Sequence, residues 1–355
     1  MARIRGIQGT VLILILSSGA CAEPRLGAGD TFGLASWNVE NLFDAVADGT
    51  EFAGYDPENS DWDEHAYHAK LGQVARVLEH VADAGGLQIL ALQEIENRTV
   101  LSDLWTRVRS MGFRYGFMLD GTGGPFHNAV LSAYPITAAR THALSIPWAA
   151  PGRQILELDI VLSSDCTLVL FVNHWHSRRA GAAETEASRR VAAAVLARRI
   201  AARSTDSGVV ILAAGDLNAN YDDYARALEA YPTALLPVRQ LHVYGGRDSI
   251  FLTDDWSRVG VHSLTEHRAD GVVLYSPWKD GAGPGSYVFR NEWNTIDHVL
   301  FGNGFGPDGC VSLESFSVVA EPFMLDRHGA PRRFLRDRAT GYSDHLPLVA
   351  RLRLR

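Results

Sequence analysis

"TIDHVLFG", residues 295–302, sets Asp297 and His298 inside an apolar run, and "YSDHLPLV", residues 342–349, does the same with Asp344 and His345. Placing an acid and an imidazole beside a strand-like apolar segment costs free energy unless they have partners or a task. Similar runs lie upstream. "LQILALQE" (87–94) ends on Glu94, "TLVLFVNHWHS" (167–177) carries Asn173 and His174, and "VVILAAGDLNAN" (209–220) carries Asp216 and Asn218. Short apolar strands with chemistry at one end are how a sheet gathers a site along its rim.

Working outward, "FGLASWNVENLF" (32–43) reads as another strand and offers Asn38. "NAVLSAYPI" (128–136) and "ILELDIVL" (155–162) are further strands. Helices alternate with them irregularly. "YHAKLGQVARVLEHVADAGG" (67–86) puts Leu71, Val74, Val77, Leu78 and Val81 on one stripe, with Gly85 as a stop. "ETEASRRVAAAVLARRIAARS" (184–204) suggests a stripe of Val191, Val195, Leu196 and Ile200. The Gly/Asp-rich segment 45–65 reads as a surface loop. No repeat or long linker interrupts the chain, so one domain is expected from about residue 30 to residue 355.

The 355 residues are ample for a sizeable core, and 46% hydrophobic with 21% charged residues describes an ordinary globular chain. The formal charge of −8 excludes broad electrostatic attraction to nucleic acid or anionic membrane. An anionic substrate would need a local basic patch or a metal ion.

The N-terminus has its own logic. Arg3 and Arg5, the short run "TVLILIL" (10–16) and the small residues "SSGACA" (17–22) read as an export signal over residues 1–22. The apolar run is too short to span a bilayer. "SGAC" further suggests a lipobox with Cys21 as the lipidated first mature residue, although Ser18 stands where Leu is more usual. The competing reading is simple cleavage after Ala22, at the A-x-A sequence of Ala20 to Ala22. Either removes two arginines and no acid, leaving the mature chain more acidic still. Cys166 and Cys310 remain, and sequence alone leaves open whether they pair or stay buried thiols.

The strand-end set is oxygen-rich, contains histidine and lacks cysteine. That suits a hard divalent ion such as Mg²⁺ or Mn²⁺ and argues against structural zinc. Asp216 and Asn218, two apart, point to one side of an extended chain, and Gly215 allows close backbone approach. His345 would act as a general base if a carboxylate oriented it, and Asp297 is the candidate. Taken singly, each of these residues has a plainer reading as a turn, cap or core residue.

The ordered set "SWNVENLF", "LQEIEN", "VNHWHSRR", "AGDLNAN", "WNTIDHVLF" and "YSDHLPLV" resembles the endonuclease/exonuclease/phosphatase superfamily, from about Phe32 to Leu352. The resemblance implies an α/β (α+β) four-layer sandwich of the DNase I-like kind, with two face-to-face β-sheets flanked by helices. It also implies hydrolysis of phosphate esters with Mg²⁺ or Mn²⁺. By that resemblance Asn38, Glu94 and Asp344 serve the metal. His345 is the base, oriented by Asp297; His174 stabilises the phosphate; and Asp216 and Asn218 align the nucleophile. Asn173, Arg153 and Arg178 are expected on the substrate, and His298 is expected to be structural. The sequence departs from the pattern at Ala133, where relatives often carry a phosphate-touching arginine, and Arg153, Arg178 and Arg179 are the candidates to replace it.

The resulting expectation is an exported, envelope-located, monomeric phosphodiesterase, a nuclease in the first instance. A sphingomyelinase-like phospholipid phosphodiesterase, tethered to membrane through Cys21, stands second. A non-catalytic surface binding protein on the same fold stands third. The complete polar set argues against the third.

Overall fold

The protein is described from a computed structural model covering residues 14–15 and 24–355, apart from residues 50, 120–123, 126, 146–152, 247, 266–267 and 281–282. Residues 14–15 excepted, the expected export segment with Cys21 lies outside the described residues.

The chain opens a first sheet with β1 (Leu14–Ile15) and β2 (Thr31–Leu42) and crosses through α1 (Glu64–Asp83) to β3 (Ile89–Ile95). After α2 (Arg98–Arg107) it adds β4 (Tyr115–Met118) and β5 (His127–Ser132). A second sheet follows: β6 (Ile136–Ala143), β7 (Gln154–Val161), β8 (Thr167–His174), then α3 (Glu186–Arg203) and β9 (Val209–Asp216). That sheet continues with β10 (Leu235–Pro237), β11 (Ile250–Thr253), β12 (Gly260–Thr265) and β13 (Arg268–Tyr275). A small hairpin, β14 (Tyr287–Phe289) and β15 (Glu292–Asn294), leads into β16 (Asp297–Phe301) of the second sheet. Finally β17 (Val311–Val318) and β18 (Leu348–Leu354) return to the first. The strand orders are β1-β4-β5-β3-β2-β18-β17 and β10-β11-β13-β16-β9-β8-β7-β6, with β12 on β13.

Side-chain alternation explains the layering. On β2, Phe32 and Leu34 point between the sheets, while Ala35, Trp37 and Val39 point outward beneath α1. On β8 and β9, Leu168, Leu170, Val172, Val210, Leu212 and Ala214 fill the same inter-sheet core, and Val169, Phe171, Ile211 and Ala213 pack with α3. The result is helix, sheet, sheet, helix, as expected. Each fully buried aliphatic or aromatic side chain in these layers contributes roughly 1.5–3 kcal/mol.

The helices follow their sequence signals. Asp63 caps α1 by accepting from Ala66 N at 2.8 Å, and Leu71, Val74, Val77, Leu78 and Val81 are all buried. On α3 the expected stripe is rotated. Leu196 and Ile200 are buried with Ala192, Ala193 and Ala197, whereas Val191 and Val195 are only half-buried. The small alanines lie closest to the sheet because they let the helix approach, which leaves the valines on its shoulders. The sulfurs of Cys166 and Cys310 are bonded, closing the alternative that sequence left open.

Candidate active site

The same alternation that fills the core carries polar groups to one rim. Beyond Phe32 and Leu34, the inner face of β2 continues to Asn38; beyond Leu170 and Val172, β8 continues to His174; beyond Leu212 and Ala214, β9 continues to Asp216. On β16, Asp297 shares its face with Val299 and Phe301. Asp216 is flanked in register by His174 on one side and Asp297 on the other.

Glu94 has the wrong parity for this face, since Leu90 and Leu92 point outward. The backbone corrects it. Glu94 has φ 66°, and both of its strand pairings slip there, between Leu92 and Ile95 and between Asn38 and Leu42. A left-handed residue within a bulge re-aims the side chain at a cost of order 1–3 kcal/mol, a form of strain that clusters at functional sites. Asn218 is also left-handed, at φ 48°. At Gly215 a Cβ would lie 2.0 Å from Asn173 O, so only glycine permits the close approach of β9 to β8.

Asn38 Nδ2 donates to Glu94 Oε1 at 3.1 Å and to Asp216 Oδ2 at 3.2 Å, linking two carboxylates. Its Oδ1 accepts from Glu40 N at 3.0 Å. Glu94 Oε2 accepts from Asn41 N at 2.8 Å. His174 Nε2 lies 3.6 Å from Glu94 Oε1 and 3.7 Å from Asp216 Oδ2. His345 Nδ1 is 2.8 Å from Asp297 Oδ2, which also accepts from Ser286 Oγ at 2.5 Å. Asp344 Oδ1 is 3.9 Å from His345 Nε2. Asn218 N caps Asp216 Oδ1 at 2.8 Å, while Asn218 Nδ2 donates to Trp175 O at 3.1 Å. Seven of the eight expected catalytic and metal residues (Asn38, Glu94, His174, Asp216, Asn218, Asp297 and His345) thus form one hydrogen-bonded or closely apposed group, and Asp344 borders it.

Electrostatics divide the group. Burial, and then the nearby Asp344 charge, raise the pKa of Glu94. Burial pushes Asp216 up to about 7 despite His345. Burial, Arg153 and His345 hold His174 well below its ordinary value, so it is neutral. Burial opposes a charge on His345, but Asp297, its hydrogen bond, Asp216 and Asp344 outweigh it and hold its pKa well above the usual value. Sequence suggested His345 as a base poised near neutral pH; among so many carboxylates its pKa is instead raised, and that of Asp216 is about 7.

The expected substrate residues fare differently. Arg153 is drawn to the cluster: burial lowers its pKa, while Asp216 and Glu94 favour its charge. Its Nη1 is a buried donor with no protein partner. Asn173 falls on the opposite face of β8, fully buried. It donates to Phe171 O and Ala214 O and accepts from Trp175 Nε1, so it supports the fold. Arg178 is paired to Asp223 at 2.8 and 3.0 Å and is not brought to the carboxylates. His298 is buried on the helix side, with Nε2 2.8 Å from Ala219 O, in the structural position expected of it.

Sequence reasoning passed over Ser286 and Tyr287. The Tyr287 ring packs against His345 with ring centroids 4.7 Å apart and a tilt of 34°, so the hairpin of β14 and β15 walls the imidazole. Ser286 and Tyr287 lie in "GSYVFRNE" (285–292), just ahead of the "WNTIDHVLF" segment that the sequence reading used. It also passed over Lys70 and Glu40. Lys70 is buried behind the site, donates to Tyr342 O at 2.5 Å, and lies 4.0 Å from Glu40 Oε2.

The donor set fits a hard divalent ion. Glu94 is raised first by burial and then by repulsion from the Asp344 carboxylate, a situation that a cation relieves. Asp216, Asp297 and His345 also lie close together, but Nδ1 of the histidine is committed to Asp297.

No curated protein matches the sequence. Among solved structures, TDP2 from Caenorhabditis elegans superposes over 91% of this chain and 75% of its own, at 14% identity and a TM-score of 0.52. ANGEL2, described as a 2′,3′-cyclic phosphatase, covers 92% and 96% at 13% identity and a TM-score of 0.56. A mannosyl-6-phosphatase from Bacteroides thetaiotaomicron covers 90% and 99% at 14% identity and a TM-score of 0.51. Residues 33–119, which contain Asn38 and Glu94, match the model described as "Endonuclease/Exonuclease/phosphatase family". The chain thus matches that family model over residues 33–119 and shares its overall fold with these solved structures.

Proposed function

We propose that this chain is a divalent-metal-dependent hydrolase of phosphodiesters, exported from the cell, with nucleic acid as the first substrate class. The observation that supports the reading above all others is the convergence of Asp297, His345 and Asp216 beside Glu94 and Asp344 at one rim of the sandwich. When bound by Glu94 and Asp344, a Mg²⁺ or Mn²⁺ ion supplies Lewis-acid stabilisation of charge on a phosphoryl oxygen.

The chain's own residues do the rest. Asp297 and Ser286 fix the imidazole of His345, and Tyr287 walls it. Asp216 and His345 share the proton work: one accepts a proton from the attacking water as the new P–O bond forms, and the other gives its own proton to the leaving oxygen as the old P–O bond breaks. Asn38 holds Glu94 and Asp216 in place. Arg153 Nη1, buried and unpartnered, and the neutral His174 offer donors to phosphoryl oxygens as their charge grows.

The bonded Cys166 and Cys310 favour an oxidising compartment, in agreement with the export signal and a Cys21 anchor at the cell envelope. Nuclease over phosphatase or phospholipase is a question of substrate. A panel of plasmid DNA, RNA, sphingomyelin vesicles, a phosphomonoester and bis(p-nitrophenyl) phosphate, each with Mg²⁺, Mn²⁺ and chelator, tests it. Metal-dependent cleavage of nucleic acid supports the reading; no turnover of any phosphoester rejects it.

A further inference from the structure

The acidic chain carries a basic stretch shortly before Asp344 and His345. "DRHGAPRRFLRDR" (326–338) holds Arg327, Arg332, Arg333, Arg336 and Arg338 against only Asp326 and Asp337. It leads directly to Ser343, Asp344 and His345. Arginines on a surface loop ordinarily sample many rotamers and serve solubility alone. Two of these are built differently.

Arg333 is fixed by a buried acid. Its Nε and Nη2 both meet Glu40 Oε1, at 3.0 and 2.7 Å, and Phe334 N donates to Glu40 Oε2 at 2.9 Å. Glu40 is almost fully buried, yet the Arg333 side chain is 63% exposed. A buried carboxylate therefore holds an exposed guanidinium by one edge, leaving the other toward solvent. Glu40 is itself locked to the site, since its N–H donates to Asn38 Oδ1. Arg333 also feels Asp344: Glu40 raises its pKa most, burial opposes, and Asp344 adds to the rise.

Arg336 is fixed by an aromatic ring. Its guanidinium lies 4.9 Å from the ring centre of Tyr55, which is stacked on Phe43 at 5.0 Å. Phe43 continues the strand end that bears Asn38 and Glu40. Arg336 is exposed and has no carboxylate within salt-bridge distance among the described residues. A planar guanidinium held by stacking loses little further freedom on meeting a phosphate, and its fork can grip two oxygens.

Both cations are thus ordered before any ligand arrives, and both hang from the strand end that holds the metal side of the site. We infer that Arg333 and Arg336 form a second anion subsite, which takes a further phosphate of the substrate beyond the one being cleaved. This rests on the proposed phosphodiesterase reading and sharpens it. A substrate bearing consecutive phosphates, such as a nucleic acid strand, satisfies two cations here, whereas a lipid whose head group ends in a quaternary ammonium meets them with like charge.

The test is binding, which needs no turnover. Titration calorimetry compares thymidine 3′,5′-bisphosphate with thymidine 5′-monophosphate on the full chain and on Arg333→Ala/Arg336→Ala. Charge-assisted hydrogen bonds from arginine give the wild type an expected ~10- to 100-fold preference for the bisphosphate, and the double variant loses it. Arg336→Ala, which disturbs no buried acid, repeats the test should Arg333→Ala perturb folding, and shows a smaller loss of the same preference. Equal affinity for the two nucleotides in the wild type, or a preference that survives both substitutions, overturns the subsite. Wild-type turnover of a short oligonucleotide and of sphingomyelin vesicles is measured alongside. Vesicle turnover left unchanged by the double variant, with no oligonucleotide turnover, also overturns it. Absence of any hydrolysis beside a clear bisphosphate preference refutes the enzymatic reading and leaves the subsite standing.

Discussion

His345 Nδ1 lies 2.8 Å from Asp297 Oδ2 although 48 residues separate them, and that couple leaves the imidazole's other nitrogen 3.9 Å from Asp344 Oδ1. If the couple handles the proton, His345→Ala lowers turnover at least ~10²-fold, the lower end of what a positioned acid or base contributes. Asp297→Asn keeps the shape and removes the orienting charge, so its loss is comparable. Rates are read beside thermal midpoints. A folded His345→Ala protein with near-wild-type kcat contradicts the assignment.

Two of the three arginines named from sequence, Arg153 and Arg178, now separate. Arg153 Nη1 is buried without a partner beside Asp216 and Glu94, whereas Arg178 is taken up by Asp223. Arg153→Ala therefore lowers kcat/KM about 10- to 100-fold, equivalent to a charge-assisted hydrogen bond of about 1.5–3 kcal/mol. Arg178→Ala leaves kcat/KM nearly unchanged, because its guanidinium is committed to Asp223 and does not meet the site carboxylates. Equal effects from the two would place Arg153 outside the site.

Glu157 makes a pH prediction of known sign. It is fully buried on β7 and meets Arg140, His142, Arg199 and Arg203 at 2.7–3.1 Å, fastening α3 to the sheet. Burial alone would raise its pKa, but the hydrogen bond to His142 and the charges of Arg199, His142 and Arg140 outweigh it and hold it at about 2. A lowered folded value means the stabilisation is complete above the unfolded value of ~4.3 and is lost as pH falls toward 2. Its full size is on the order of 3 kcal/mol. Glu157→Gln should thus lower denaturant stability at pH 7 and cost progressively less between pH 4.5 and pH 3. A loss that does not change over that range refutes the linkage.

Location is decided at the N-terminus. Arg3, Arg5 and "TVLILIL" should direct export, and Cys21 after "SGA" should accept lipid. Several acyl chains anchor a protein stably, where one does so only marginally. Intact-mass analysis of the mature protein should show Cys21 first with added acyl mass. An unmodified start at Glu23 rejects the anchor and weakens the lipid-substrate alternative.

Much of this was legible in the sequence because the core and the site obey one rule. Alternation along β2, β8, β9 and β16 places Asn38, His174, Asp216 and Asp297 on the face that the apolar residues define. The same alternation, carried one residue further, already excludes Asn173 and turns His298 toward the helices. Glu94 could not be placed that way, since a bulge at φ 66° reverses its parity and no local pattern announces it. Arg178 failed for another reason. Its partner Asp223 is 45 residues away, and no spacing rule reveals such a pairing. The α3 stripe was misread because a sequence stripe counts large apolar residues, whereas close packing on a sheet favours alanine.

The most direct test of the central claim is the rate of bis(p-nitrophenyl) phosphate hydrolysis by the purified wild type across a Mg²⁺ titration, then in excess chelator, beside Glu94→Gln. Glu94→Gln keeps the side chain's shape and its neighbours but removes the charge that Glu94 shares with Asp344. The account predicts loss of activity in chelator, recovery with Mg²⁺ or Mn²⁺, and at least ~10-fold more metal for half-activation of the variant. Undiminished hydrolysis in excess chelator would contradict it.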